Sequence, residues 1–351
     1  MNVYHAIGIM SGTSMDGLDI VYCKLFLKNK WQYEILKCRT ISYTKKWKER
    51  LINAHLLKSR DFVLLDHEFG KFIGKKINEF ILENNIKKTE IDLISSHGHT
   101  IFHETQNSFS CQIGNGNQIC AVTNLKTVTD FRSLNVAFNG QGAPLVPIGD
   151  HLLFNNYDAC LNLGGVANIS LNYKNPIIAG DINFANMSSN YLAEKMGFPF
   201  DKNGHLAKKG ELNNDLILKL NELSFFNQPF PKSLSIEDFK KWYLPVLSKS
   251  NCSLYDQLFT TGFHLAESIK KITGRKRKLL VTGGGVHNQF WIQKLKEFNV
   301  QVVIPESTLI EYKEALIFSL LGVLKVRDEV NCLSSVTGAT RDLKSGIIFT
   351  P

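Results

Sequence analysis

Two strand–glycine-turn–strand units, one opening each half of the chain, constrain its fold more than any other feature. In the first, an apolar run (residues 3–10) enters and an alternating run (residues 18–25) leaves. The stretch between them, Ser11-Gly12-Thr13-Ser14-Met15-Asp16-Gly17, therefore reads as a hairpin tip. In the second, residues 158–163 read as a strand, Gly164-Gly165-Val166-Ala167-Asn168 as a tip and residues 169–172 as the returning strand. A third strand, residues 176–180, then ends on Asp181. A repeat of this kind is what a duplicated α/β fold with a nucleotide cleft between two lobes would show. The length agrees, since 351 residues exceed what one core usually holds. The breaker-rich stretch Gly140-Gln141-Gly142-Ala143-Pro144-Leu145-Val146-Pro147 marks the boundary, giving lobes 1–140 and 141–351.

The first tip carries groups suited to phosphate. Gly12 and Gly17 permit positive φ and close approach, Thr13 and Ser14 offer hydroxyls, and the peptide N–H groups can form an anion-binding concavity. Asp16 and Asp19 are hard oxygen donors or water-holders for Mg²⁺. An ordinary hairpin turn uses the same residue types, and the string is neither a dinucleotide fingerprint nor a P-loop. A third glycine-bearing stretch, Gly283-Gly284-Gly285-Val286-His287-Asn288, lies between an apolar strand and a helix starting at Gln289. Such a backbone passes flush against something flat or anionic.

Between these units, residues 43–58 and 61–84 read as helices, with Asp61 as N-cap of the second. A short buried strand (residues 91–95) delivers Ser96-His97-Gly98-His99-Thr100 to its C-terminal end, the edge where open α/β sheets bind ligands. His97 and His99 are expected to face opposite ways, and a metal site formed with His103 has little support. His97 suits a sugar-contacting or loop-fixing role. Arg132 follows another short strand; it is either a surface charge or a fork for a substrate carboxylate. Asp181 is the candidate general base at a strand end, or else the N-cap of the next helix. Asp16, Asp19, Asp130 and Asp201 are its rivals. Pro229 and Pro231 mark a surface excursion.

The net charge of +9 is spread along the chain, and its one dense run (residues 275–278) directly precedes a strand. No nucleic-acid module accompanies it, and such a surface equally attracts ATP. No export signal and no membrane-length apolar run is present, so neither secretion nor a membrane partner is expected. Seven scattered cysteines without a Cys-x-x-Cys fit reduced thiols in a cytoplasm and give zinc no support.

Met10-Ser11-Gly12-Thr13-Ser14-Met15-Asp16-Gly17-Leu18-Asp19 closely resembles the opening signature of the anhydro-N-acetylmuramic acid kinases, of the sugar-kinase, Hsp70 and actin superfamily. The histidine string, Asp130-Phe131-Arg132, the Gly-Gln-Gly-Ala-Pro stretch, residues 162–169, 283–288, Glu314-Ala315 and residues 336–339 follow in the family's order. The resemblance implies a two-lobed actin-like, ribonuclease H-like fold, each lobe a mixed sheet flanked by helices. It also implies an enzyme that uses ATP, Mg²⁺ and water to open the 1,6-anhydro bridge of anhydro-N-acetylmuramic acid and phosphorylate O6, in peptidoglycan recycling, and a homodimer. Mapped here, Asp181 would activate the water, and Gly12, Thr13, Ser14, Met15, Asp16, Gly17, Leu18 and Asp19 would hold phosphates. Gly164 and Gly165 would approach them, and Gly283, Gly284, Gly285 and Asn288 would border the adenosine. His97, Arg132 and Glu314 would contact the sugar. A conventional hexosamine kinase and a non-catalytic nucleotide switch are the alternatives. Two departures stand out: the family's Asp-Thr-Gly-Pro-Gly-Asn reads Asp181-Ile182-Asn183-Phe184-Ala185-Asn186, and His99 stands where Gln is usual.

Overall fold

The computed structural model describes residues 2–12, 15–274 and 276–351. Strands β1 (Asn2–Ser11), β2 (Gly17–Leu27) and β3 (Trp31–Ser42) form an antiparallel meander. Helix α1 (Lys45–Ile52) is capped by the Thr44 hydroxyl, which accepts from the Trp47 N–H. Helix α2 (Ser59–Glu83) buries Leu65, Phe69, Ile73, Ile77 and Phe80, a stripe at three- and four-residue steps. Then come β4 (Leu93–Glu104), β5 (Phe109–Ile113), α3 (Gly116–Thr123), β6 (Thr127–Thr129), α4 (Ser133–Ala137) and α5 (Val146–Leu153).

A second meander follows: β7 (Ala159–Leu163), β8 (Val166–Leu171) and β9 (Ile178–Phe184). Helices α6 (Asn186–Lys195) and α7 (Asn214–Asn221) precede α8 (Ile236–Asp238), which a π turn (Phe239–Tyr243) joins to α9 (Leu244–Ser248). Helix α10 (Leu254–Thr273), β10 (Lys278–Thr282), α11 (Gln289–Glu297) and β11 (Gln301–Val303) come next. The chain closes with α12 (Ser307–Val326), α13 (Ser334–Thr337) and β12 (Ile347–Phe349).

The chain divides into two compact units, residues 1–153 with 312–351, and residues 154–311. The sheet of the first runs β12-β6-β4-β1-β2-β3, with β5 also on β4; that of the second runs β11-β10-β7-β8-β9. In each, an antiparallel three-strand meander carries two parallel strands beyond its first member, so the same order occurs twice. Each unit has its own core, around Ile7, Ile20, Phe69 and Ile94 in the first and around Leu161, Ile169, Leu265 and Val281 in the second. The expected boundary at 140/141 is corrected. Residues 141–153 and 312–351 belong to the first unit, because α12 lays a nearly all-buried apolar face on it.

Other expectations shift for local reasons. Gly17 and Leu18 belong to β2, with Leu18 fully buried in the core, so neither is part of the first tip. The second tip shrinks to Gly164 and Gly165, because Val166 already pairs with Phe184. Helix α2 starts at Ser59, which puts Asp61 inside its first turn rather than at its cap. The histidine string lies within β4, which continues to Glu104 because β5 pairs with it. Strand β9 runs three residues past Asp181, so Asp181 is neither at a strand end nor a helix cap. Buried Ile182 and Phe184 carry the strand on, and α6 has Ala185 at its N-cap.

Candidate active site

In the first unit, the hairpin tip is built on a buried polar node. The Ser11 hydroxyl lies 2.6 Å from the Tyr43 hydroxyl and 2.8 Å from His99 Nδ1. Burial pushes Tyr43 up and lowers His99 to about 4, so the node is neutral across the physiological range. Met15 turns back with φ +58°, its N–H donating to the Gly12 carbonyl at 3.2 Å. Asp16 is exposed, and Asp19 accepts the Thr40 hydroxyl at 2.6 Å. That hydroxyl also lies 3.2 Å from the Tyr312 hydroxyl of α12. Thr13 and Ser14 lie outside the described residues.

Residues two apart on a regular strand share a face. His97 and His99 do face opposite ways as expected, but strand alternation, the ground of that expectation, would have put them on the same face. Gly98 sits at φ +73°, where Ile9-to-Ser11 of β1 spans Ser96-to-His99 of β4, and this bulge breaks the alternation. His97 then lies tilted against Phe318 of α12 (4.7 Å between centroids), while His99 meets Phe69 of α2 edge-on. No group of three or more potential metal-ligating side chains gathers among the described residues.

His97 has both ring nitrogens engaged. Nδ1 lies 2.9 Å from the Gly98 carbonyl, an obligate acceptor, so it carries the proton; Nε2 accepts the Arg132 Nε–H at 2.9 Å. Burial and the guanidinium hold the imidazole well below its ordinary pKa. Arg132 also donates from Nη1 to the Gly142 carbonyl at 2.5 Å, and burial lowers it to about 10 against the opposing pull of Glu314. Glu314 reaches solvent, yet surrounding protein raises its pKa; Lys313 and Arg132 oppose the rise, and Asp19 and Asp150 reinforce it. Lys313 and Asp150 form a buried ion pair at 3.2 Å. His97 thus holds Arg132 rather than presenting a free nitrogen.

In the second unit, Gly164 and Gly165 make the β7–β8 turn, and their carbonyls accept from the Asn186, Ala185 and Met187 N–H groups. Gly283 needs φ +83°, and a Cβ there would stand 2.4 Å from Asn162 Oδ1. A Cβ on Gly284 would meet nothing within 4 Å, so protein packing does not demand glycine there. Asn288 caps α11 through the Trp291 N–H, which commits its side chain to the helix.

Asp181 lies in β9 opposite Asn168, beside a register shift. Its Oδ2 accepts the Leu234 N–H at 2.7 Å, and burial raises its pKa to about 6 against that bond. Two of its rivals are otherwise employed. Asp201 accepts the Leu206 and Ala207 N–H groups, and Asp130 accepts that of Ser133. The altered stretch after Asp181 goes into the core. Phe184 packs on Phe239, Trp242 and Tyr243, and Asn183 donates to His264 Nδ1 and the Ser268 hydroxyl of α10. Sequence reading missed Tyr43, Thr40, Tyr312 and Leu234. Only the last sat near a signal, since Pro229 and Pro231 flagged an irregular segment that turns out to touch Asp181.

The profile of the family described as AnmK, anhydro-N-acetylmuramic acid kinase, matches residues 4–351. A curated anhydro-N-acetylmuramic acid kinase from Sulfurimonas denitrificans is 32% identical, over 98% of this chain and 98% of its own. One from Aliivibrio fischeri is 31% identical over the same shares. Among solved structures, component A of (R)-2-hydroxyglutaryl-CoA dehydratase from Acidaminococcus fermentans aligns over 90% of this chain and 96% of its own. It does so at 14% identity and a TM-score of 0.44. By its matched length and these relatives, the chain belongs to the anhydro-N-acetylmuramic acid kinase family and is, with it, a phosphotransferase.

Proposed function

We propose that the chain uses ATP and water to open 1,6-anhydro-N-acetylmuramic acid and phosphorylate it at O6, giving N-acetylmuramic acid 6-phosphate and ADP. Asp181 takes a proton from water as the water oxygen bonds to the anomeric carbon. The C1–O6 bond breaks, and O6 accepts the γ-phosphoryl group as the bond to ADP breaks. The observation that carries this reading is the Asp181 carboxyl, raised to about 6 and held at one oxygen. Such a group is ionised at neutral pH yet basic enough to accept a proton.

In the first unit the tip residues Gly12, Met15 and Asp16, with the backbone of Gly17 and Leu18, bind phosphates, and Thr13 and Ser14 belong to the same loop; in the second unit Gly164 and Gly165 are the phosphate-binding turn. Gly283, Gly284 and Gly285, with the Asn288 backbone, border the adenosine. Asp16 and Asp19 would hold Mg²⁺ through water, one or two carboxylates being what this ion takes beside phosphates; it would supply neutralisation of phosphoryl charge. Arg132, oriented by His97, receives the lactyl carboxylate on its remaining N–H edge, and Glu314 accepts a sugar hydroxyl. Seven free thiols fit a reducing cytoplasm. No helix among the described residues is long and apolar enough to cross a membrane. A homodimer is the expected assembly, checked by sedimentation.

Incubation with ATP, Mg²⁺ and the anhydro-sugar in ¹⁸O-water tests the reaction. Early time points should place the label at C1 of the sugar and none in its phosphate. Phosphorylation of the open-ring sugar alone would point to a conventional hexosamine kinase, and absence of any sugar turnover to a nucleotide switch.

A further inference from the structure

We infer that the segment Phe230 to Leu234 is a strap that positions the Asp181 carboxylate, with Gly180 as the residue that lets it seat. This rests on the reading of Asp181 as the base. Two backbone bonds tie strap to strand: the Asp181 N–H donates to the Lys232 carbonyl at 2.9 Å, and the Leu234 N–H donates to Asp181 Oδ2 at 2.7 Å. The second leaves Oδ1, which receives no hydrogen bond from a described residue, as the oxygen presented to water. Strand and strap approach closely because residue 180 has no side chain. A Cβ there would stand 2.7 Å from the Lys232 carbonyl oxygen and 2.8 Å from the Phe230 ring.

Both ends of the strap are anchored. On one side, Lys232 Nζ donates to the Phe225 carbonyl at 2.9 Å and lies 4.3 Å from the Phe225 ring centroid. On the other, Ser235 and Asp238 close a capping box on α8 immediately after Leu234. The arrangement is a carboxylate oriented by a fixed amide donor, which stabilises the ionised form and sets its rotamer. Burial and this bond, rather than neighbouring charges, act on the carboxyl. Lys232 turns to Phe225; Glu267, Lys270 and Lys271 of α10 gather around Ile182; the β8 partner Asn168 is neutral.

The test is the acid limb of the kcat pH profile in the full-length protein. Leu234→Pro removes the N–H, whereas Leu234→Ala removes the side chain and keeps it. Losing the donor leaves the carboxyl harder to ionise, so the acid limb of Leu234→Pro should move to higher pH by about one unit. That of Leu234→Ala should stay in place. Gly180→Ala, which lifts the strap, and Lys232→Met, which loosens its anchor, should move the limb in the same direction by less. They carry the test if the proline variant does not fold. Limbs unmoved in every folded variant overturn the strap. Wild-type turnover in Asp181→Asn overturns instead the base assignment beneath it.

Discussion

Asp181 couples function to stability through one carboxyl. Its folded pKa of about 6 lies above the ordinary carboxylate value, so the fold favours its protonated form. The unfolded chain therefore binds fewer protons there, and this group's contribution to stability falls as pH rises from about 4 to about 6. Asp181→Asn should lower turnover by at least about 100-fold while sparing ATP binding. At pH 7 the same variant should be more stable by about 1–2 kcal/mol, since the amide oxygen can still accept the Leu234 N–H and no charge is desolvated. Melting curves at pH 7 and below pH 4 check this; the gap should close at the lower pH. For the wild type, kcat should rise through an acid limb near pH 6. His97→Ala removes the acceptor of the Arg132 Nε–H. The KM for the sugar should rise about tenfold with the KM for ATP unchanged.

At the scale of elements, the phosphate hairpin depends on groups distant in sequence. Ser11 sits 1% exposed between Tyr43 and His99, so Ser11→Ala leaves the Tyr43 hydroxyl without that partner. Denaturant unfolding should show a loss of about 1–3 kcal/mol, and the KM for ATP should rise with that for the sugar little changed. Strand β9 illustrates where periodicity misleads. Ile182, Asn183 and Phe184 are all buried, and the register shifts between Ala167 and Asn168. No simple alternation therefore distinguishes a continuing strand from the start of a helix. The Gly98 bulge is the same lesson in β4: a single left-handed glycine sends His97 and His99 to opposite faces, which residue spacing alone would not.

At the scale of the molecule, the first unit is discontinuous, and α12 completes it. Ser95 donates to the Phe318 carbonyl, and the Phe318 ring lies 5.6 Å from that of Phe131, so the sheet's second face is covered by residues more than 150 positions downstream. Deleting residues 312–351 should leave that face bare and abolish cooperative unfolding of the first unit, read by calorimetry. The sequence by itself determined the duplicated meander, the glycine turns and the family, because these rest on local periodicity and on short strings whose chemistry is contiguous. Tertiary structure alone decided that the chain returns to its first unit, that His97 serves Arg132, and that a proline-flanked segment holds Asp181. Each of those is a contact between residues far apart along the chain, made through backbone amides and buried faces that leave no periodic trace in the sequence.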